Sequence, residues 1–227
     1  MRSRHLVGTS GAGVPGIPRR LVCCSAVLTI LAVALAAPGF AEAKPASGKS
    51  ISLHSGTLTL KFTHAAFAAL TKSTSGSFAN TRTLTPVAPG ASASPGVFTF
   101  PLASGKVNLT KLTGKVASKG AINFVHVSTL PLLGTSTTQF VLKSFALHLG
   151  GSGPVLSATF VGGSTTPNAP FATLVTTHAK HSKHGRVVSI SGISLKLTST
   201  GVQVFDEQNG GFKVGQVIGT ASVSAKT

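Results

Sequence analysis

The feature that most constrains this fold is a two-residue alternation of apolar and polar side chains, which recurs in short segments. Within residues 51–62, the apolar residues Leu58, Leu60 and Phe62 are separated by threonine or lysine. Residues 138–149 repeat the pattern with Phe140 and Leu142. Because successive side chains of a strand point to opposite faces, this spacing predicts strands with one buried face.

Further short segments of this kind continue to the C terminus, separated by glycine, proline, serine and asparagine. We predict strands at 51–62, 81–87, 97–100, 107–109, 112–116, 121–127, 138–149, 155–161, 171–177, 186–190, 192–197 and 214–223. Short helices are expected at 64–72, after Thr63 as N-cap, and at 200–208. Such a pattern is typical of an antiparallel sandwich or barrel, and we expect an all-β antiparallel β-sandwich of about eight to ten strands with one or two short helices.

Residues 1–43 have the order of a secretory signal. Arginines at the N terminus precede an apolar run over 21–37, and Pro38 and the small-residue pattern ending at Ala43 follow. We expect cleavage after Ala43, a polar lead-in at 44–50 and a single domain at 51–227. The alternative is an N-terminal membrane anchor, since the run has about the minimum spanning length. Cleavage would leave no transmembrane segment and place the protein outside the cytoplasm, secreted or associated with the cell envelope.

The chain is strongly basic, with 20 Lys and Arg, three Asp and Glu and a formal net charge of +17. Such a surface attracts polyanions in general, including nucleic acid, anionic cell-envelope polymers and lipid headgroups. After residue 43, Arg82 and Arg186 are the only arginines. Specific nucleic-acid recognition would require arginine interleaved with aromatic side chains, so we do not expect a specific nucleic-acid partner.

Most catalytic mechanisms need side chains that this chain lacks after residue 43. That part has no cysteine, and Asp206 and Glu207 are its only acidic residues. Adjacent residues point in different directions, so these two cannot form a glycosidase pair. No Gly-x-Ser-x-Gly elbow is present. We therefore expect a protein that is not an enzyme.

Four segments in order resemble the HtaA family of exported, haem-transport-associated bacterial domains. The first is Gly56 to Leu60 with the helix through Phe67, and the second is Val97-Phe98-Thr99-Phe100-Pro101 leading to Gly105-Lys106-Val107. The third, 112–124, is similar to the family motif G-x-I-x-H-x-G-G-L. The fourth, 195–202, is similar to the family motif L-T-x-x-G-A. The resemblance spans roughly residues 51–224 and implies an exported β-sandwich that binds haem in some members through a tyrosine supported by a histidine. This chain has no tyrosine, and Ser118 stands at the position of the motif histidine.

With tyrosine absent, histidine is the residue type that could hold haem iron. The candidates for haem or another ligand are His54 and His64, which flank the first predicted strand and its helix, and His126. The alternative for each is an ordinary surface or partly buried histidine, because this residue type has no strong preference for either environment.

The densest histidine cluster is His178, His181 and His184. Three imidazoles at this spacing could converge on a metal ion if the segment were helical. The neighbouring lysines and Arg186 oppose a cation, and the segment lies between two predicted strands. A solvated basic loop is therefore the alternative to a metal site.

The sequence thus predicts an exported, non-enzymatic surface-binding domain of the haem-transport-associated type. Its ligand would be haem or a related planar hydrophobic molecule, held without the family's tyrosine. The alternative is a structural or adhesive envelope protein that contacts anionic cell-wall polymers through its basic surface.

Overall fold

The computed structural model describes residues 48–75, 79–130, 133–151, 153–206 and 211–227. The predicted signal at 1–43 and most of the predicted lead-in lie outside these ranges, as do the last two residues of the helix predicted at 200–208.

The described residues form two short helices and thirteen strands. The helices are α1 (His64–Thr71) and α2 (Ser199–Asp206). The strands are β1 (Ile51–Leu53), β2 (Ser55–Phe62), β3 (Asn80–Val87), β4 (Ala91–Ser94), β5 (Val97–Asn108), β6 (Thr113–Ser118), β7 (Ala121–Leu130), β8 (Gly134–Leu149), β9 (Val155–Val161), β10 (Thr165–Val175), β11 (Lys180–His184), β12 (Val187–Leu197) and β13 (Val217–Lys226).

Local sequence signals account for these elements. The alternating apolar residues of β2, Leu58, Leu60 and Phe62, are all buried, which confirms the strand prediction there. Thr63 caps α1, because its Oγ1 accepts a hydrogen bond from the Ala66 backbone N–H at 3.1 Å. The all-β class and two short helices are therefore confirmed.

The sheet closes on itself, so the expected sandwich is wrong and the architecture is a barrel. Eight strands form an antiparallel ring in the order β5, β2, β13, β12, β10, β9, β8 and β6, and β6 returns to β5. A sandwich and a barrel have the same alternation along each strand. They differ in one pairing between distant segments, which the local pattern does not encode.

The long strand β8 has two partners on one side. Residues 146–149 pair with β6, and this pairing is part of the ring. Residues 134–143 pair instead with β7, which in turn pairs with β3. Ser144 lies between the two stretches with a positive φ of 56°. We call the pairing of β3, β7 and the first part of β8 the wing, because β3 and β7 extend the sheet outside the ring.

Closure of the ring requires a glycine on β6. Gly114 faces Val107 of β5 on one side and Leu149 of β8 on the other. Its φ is +134°, and a Cβ atom would collide with the Lys106 carbonyl oxygen. Glycine therefore lets β5 approach β6 closely at the seam.

The hydrophobic core contains a cluster of phenylalanine side chains around Phe205 of α2, which is fully buried. Its ring lies 5.1 Å from that of Phe171, 5.0 Å from that of Phe212 and 5.8 Å from that of Phe124, measured between centroids. Phe124 stacks on Phe140 at 4.2 Å. These aromatic contacts join α2, the ring and the wing in one core.

Replacing this central ring should destabilise the domain strongly. We expect Phe205→Ala to lower the free energy of unfolding by about 3 to 5 kcal/mol, because it removes buried surface and leaves a cavity. Gln203→Ala, at an exposed position of the same helix, is the matched control and should change it by less than about 0.5 kcal/mol. Denaturant unfolding followed by far-UV circular dichroism measures both, and equal small effects would contradict the central role of Phe205.

Candidate functional site

A groove lies beside α1, where the edge strand β3 of the wing faces the edge strand β4. Within the described residues, β3 pairs only with β7 and β4 only with β5 among the strands. The groove has a wide part of about 580 Å³ and a narrow part of about 430 Å³, which share Phe67, Thr71 and Pro95. We call the two parts together the α1 groove.

Helix α1 lines the narrow part of the α1 groove with four residues, of which His64 and Phe67 carry aromatic rings. His64 and Phe67 both line it, and their three-residue spacing places them on one side of the helix. Ala66 and Leu70 are buried against the core. Phe67 is half-buried and also lines the wide part, and Gly96 makes room for it, since a Cβ there would lie 3.2 Å from the Phe67 ring.

The wide part of the α1 groove is lined on its wing side by residues 82–85 of β3. Arg82 is only 9% exposed, and its Nε atom is buried without a hydrogen-bond partner. Arg82 lies directly opposite His126 of β7, and directly opposed residues of an antiparallel pair share a face. The next opposed pair on that face is Leu84 and the buried Phe124, so Arg82 stands at the margin of the core.

His126 is electrostatically coupled to this arginine. Its Nε2 atom is buried without a hydrogen-bond partner. Burial lowers the pKa of His126 below 6.5, and the positive charge of Arg82 lowers this pKa further. The imidazole is therefore held neutral beside Arg82 at neutral pH.

The structure separates the three histidines that the sequence suggested for a ligand. His64 lines the α1 groove, and His126 lies across the β3–β7 pairing from Arg82. His54 is exposed between β1 and β2, where its backbone N–H donates to the Lys226 carbonyl oxygen at 2.9 Å. His54 lines neither part of the α1 groove.

The suggested metal-binding histidines are spread along a hairpin. His181 and His184 lie on β11, which pairs with β12, and His178 precedes that strand. All three are exposed. Residues three apart on a strand point to opposite faces, so His181 and His184 diverge. In the part of the chain that the structure describes, no three His, Cys, Asp or Glu side chains are grouped to hold a metal ion.

Ser118 has a packing role in the structure. It is the last residue of β6 and is buried, and its hydroxyl donates to the Phe145 carbonyl oxygen at 3.2 Å. The residue thus holds β6 against β8 at the seam of the barrel.

A second cavity of about 600 Å³ lies at the end of the barrel next to Lys115 and His148. His148 Nε2 is 3.3 Å from the Ser157 hydroxyl, and burial and the nearby Lys115 charge lower its pKa below 6.5. No phenylalanine lines this cavity, and three of its nine lining residues are glycines. The α1 groove, with its phenylalanine, is the better site for a planar apolar ligand.

Sequence reasoning missed Arg82 and Phe67 as groove residues. The burial of Arg82 follows from the alternation of β3, in which Arg82 and Leu84 face inward and the intervening threonines face outward. The segment was predicted as a strand, but the sequence did not show which face would be covered.

Comparison with known proteins agrees with this architecture. The sequence profile of HtaA, described as Htaa, matches residues 71–213, which is more than half of the chain. The chain belongs to the HtaA family. The match contains the resembling segments at 97–107, 112–124 and 195–202, whereas the segment at 56–67 lies before it. A comparison with curated protein sequences found no match.

Solved structures from the HtaA family share the fold. The C-terminal domain of HtaA from Corynebacterium glutamicum is 19% identical, with a TM-score of 0.54 over 77% of this chain and 98% of that one. Heme binding protein HtaB from the same organism is 12% identical, with a TM-score of 0.53 over 78% of this chain and 96% of that one. At these identities the likeness concerns the fold.

The helices of the described residues are short. No helix in the described part of the chain has the length and apolar character needed to cross a membrane.

The lowered pKa values of His126 and His148 predict acid destabilisation. An unfolded chain takes up these protons near pH 6.5, before the folded protein does. Their contribution to stability is thus complete above pH 6.5 and is lost as pH falls through the lower folded-state values.

We expect thermal unfolding midpoints to fall between about pH 7.5 and pH 5, and to fall less in His126→Gln/His148→Gln. The matched control is the double variant His178→Gln/His181→Gln, at exposed positions. An equal fall in the two double variants would show that other groups cause the acid effect.

Proposed function

We propose that this HtaA-family domain binds haem, or a related planar hydrophobic molecule, in the α1 groove without catalysing a reaction. The supporting observation is the placement of Phe67 and His64 on one side of α1, where both line the groove. An aromatic wall and a nearby imidazole are what a flat metalloporphyrin requires. The structurally similar HtaB is named a heme binding protein.

The groove residues fit haem in chemical type. His64 would supply a nitrogen ligand to the iron, and the exposed position of this side chain leaves it free to turn toward a ligand. The ring of Phe67 and the side chain of Leu84 would cover the porphyrin faces or edges. When bound, haem would supply a planar apolar surface and an iron atom that accepts a nitrogen ligand.

Haemin titration of the protein covering residues 44–227 tests this proposal. We expect a saturable one-to-one shift of the Soret band, because a defined groove accepts one porphyrin. His64→Ala should weaken or abolish the shift, with a loss of affinity of about tenfold or more if one ligand bond is removed. The matched control is His54→Ala, which changes an exposed histidine outside the groove.

Several results would contradict this assignment. No saturable shift in the unmodified domain would contradict haem binding itself. A shift that is lost in His54→Ala and kept in His64→Ala would place the iron elsewhere. If the Soret shift were lost only in His126→Ala, the iron ligand would be His126 of the wing.

A second candidate function rests on the β11–β12 hairpin. Four of the five residues of β11 are lysine or histidine, and all four are exposed. The exposed Arg186 follows at the turn. We propose that this hairpin contacts anionic cell-envelope polymers after export through the signal at residues 1–43.

Salt extraction of the producing cells tests export and this surface contact together. We expect protein bound to the cell surface to be released by about 1 M salt, where charges are screened within about 3 Å. The released chain should begin at Lys44 in N-terminal sequencing.

Changing Lys180, Lys183 and Arg186 to serine should reduce retention of the protein at the cell surface. The charge-matched control is the triple variant Lys61→Ser, Lys72→Ser and Lys213→Ser. Equal retention of the two triple variants would remove the hairpin from the contact, and a chain that still begins at Met1 would contradict cleavage.

A further inference from the structure

The α1 groove contains a positive charge that the described part of the chain does not neutralise. Arg82 lines the wide part of the groove and is nine-tenths buried. The three acidic residues of the chain are Glu42, Asp206 and Glu207, so none of the side chains that the structure describes is a carboxylate. The Nε–H of Arg82 is buried without an acceptor, which is costly to folding, and a ligand oxygen that accepts from this group would remove that cost.

Two further polar atoms on the same face of the wing are buried without partners, although their residues do not line the groove itself. Asn80 Oδ1 and His126 Nε2 are buried and make no hydrogen bond, like Arg82 Nε. Asn80 and Arg82 are two residues apart on β3, and His126 is opposite Arg82, so all three share one face of the wing. Buried polar atoms normally have hydrogen-bond partners, and three exceptions on one small face indicate a site for a polar group.

The remaining walls of the wide part restrict the shape of the ligand. Phe67 and Leu84 provide apolar surface, and Pro95 closes the side toward β4. Five hydroxyl-bearing residues also line it, namely Thr71, Thr83, Thr85, Ser92 and Ser94. A small inorganic anion would leave the apolar walls uncovered, whereas a flat molecule with an acidic group would use both the walls and the charge.

We propose that Arg82 binds a carboxylate of the ligand, so that the α1 groove selects planar apolar molecules that carry an acidic side group. The planar guanidinium presents its N–H donors in a fork that matches the two oxygens of a carboxylate. This inference deepens the proposed haem function, since haem carries propionate groups on a flat ring. It also gives Arg82 a role that differs from general attraction to a basic surface.

The test uses an iron-free probe pair, 1-pyrenecarboxylate and the uncharged 1-pyrenemethanol. The chain has no tryptophan or tyrosine, so pyrene fluorescence is read without interference. We expect the carboxylate to bind the unmodified domain at least about tenfold more tightly than the alcohol, as a charge-assisted hydrogen bond allows. Phe67→Ala should weaken the binding of both probes, which places them in the α1 groove.

Arg82→Gln should remove the preference for the carboxylate and leave the affinity for the alcohol nearly unchanged. The matched control is Arg186→Gln, which removes the same charge from an exposed position. Equal losses in the two variants, or equal binding of the two probes to the unmodified domain, would overturn the proposal. If Arg82→Gln does not fold, Arg82→Lys keeps the charge without the fork. It should then retain only part of the preference, and full retention would overturn the role of the fork.

A comparison of haemin with its dimethyl ester shows whether the carboxylate bound by Arg82 is a propionate of the porphyrin. A preference for haemin that is lost in Arg82→Gln assigns the site to the porphyrin propionates. No Soret change with either compound contradicts the haem function, while the pyrene result still decides whether Arg82 binds carboxylates. Haemin binding that is equal in Arg82→Gln and Arg186→Gln overturns the role of Arg82 and leaves the haem function standing.

Discussion

The hydrogen bonding of β6 to both β5 and β8 is the contact on which the rest of the structure depends. These partners come from different parts of the chain, and β6 is only six residues long. By occupying one end of β8, β6 closes the ring and leaves the other end of β8 for β7. The wing, and with it the β3 side of the α1 groove, is thus a consequence of how the barrel closes.

Much of this arrangement could be predicted from sequence, because short-range chemistry determines it. The alternation at Leu58, Leu60 and Phe62 gave β2 its buried face, and Thr63 marked the start of α1. The choice between sandwich and barrel depended on the pairing of β6 with β8, which has no local signal. The sequence suggested His64 as a candidate, whereas it marked Phe67 only as the end of the first segment that resembles the HtaA family.

The other half of the groove was harder to predict for an electrostatic reason. Arginine is rarely buried, and a lone arginine in a threonine-rich strand is normally solvated. Both α1 and β4 contact β3, and the local sequence of β3 does not show that these elements lie beside Arg82. The scarcity of acidic residues was visible in the sequence, but its importance at this position depends on which basic side chain is covered. Burial lowers the pKa of His126, and the charge of Arg82 lowers this pKa further.

Phenylalanine rings pack closely around Phe205 in the core, and the α1 groove lies at the edge of that core. The interior has no room for a ligand where the phenylalanine rings meet, so the groove lies outside the ring. Most of its walls come from α1, β3 and β4, which lie outside the eight closed strands, and β2 contributes Lys61 and Phe62 to the narrow part. Moving α1 or β3 would break no hydrogen bond between strands of the ring, so the groove can open locally while the barrel remains folded. A change in the shape of the groove and global unfolding of the barrel are therefore separate processes in this fold.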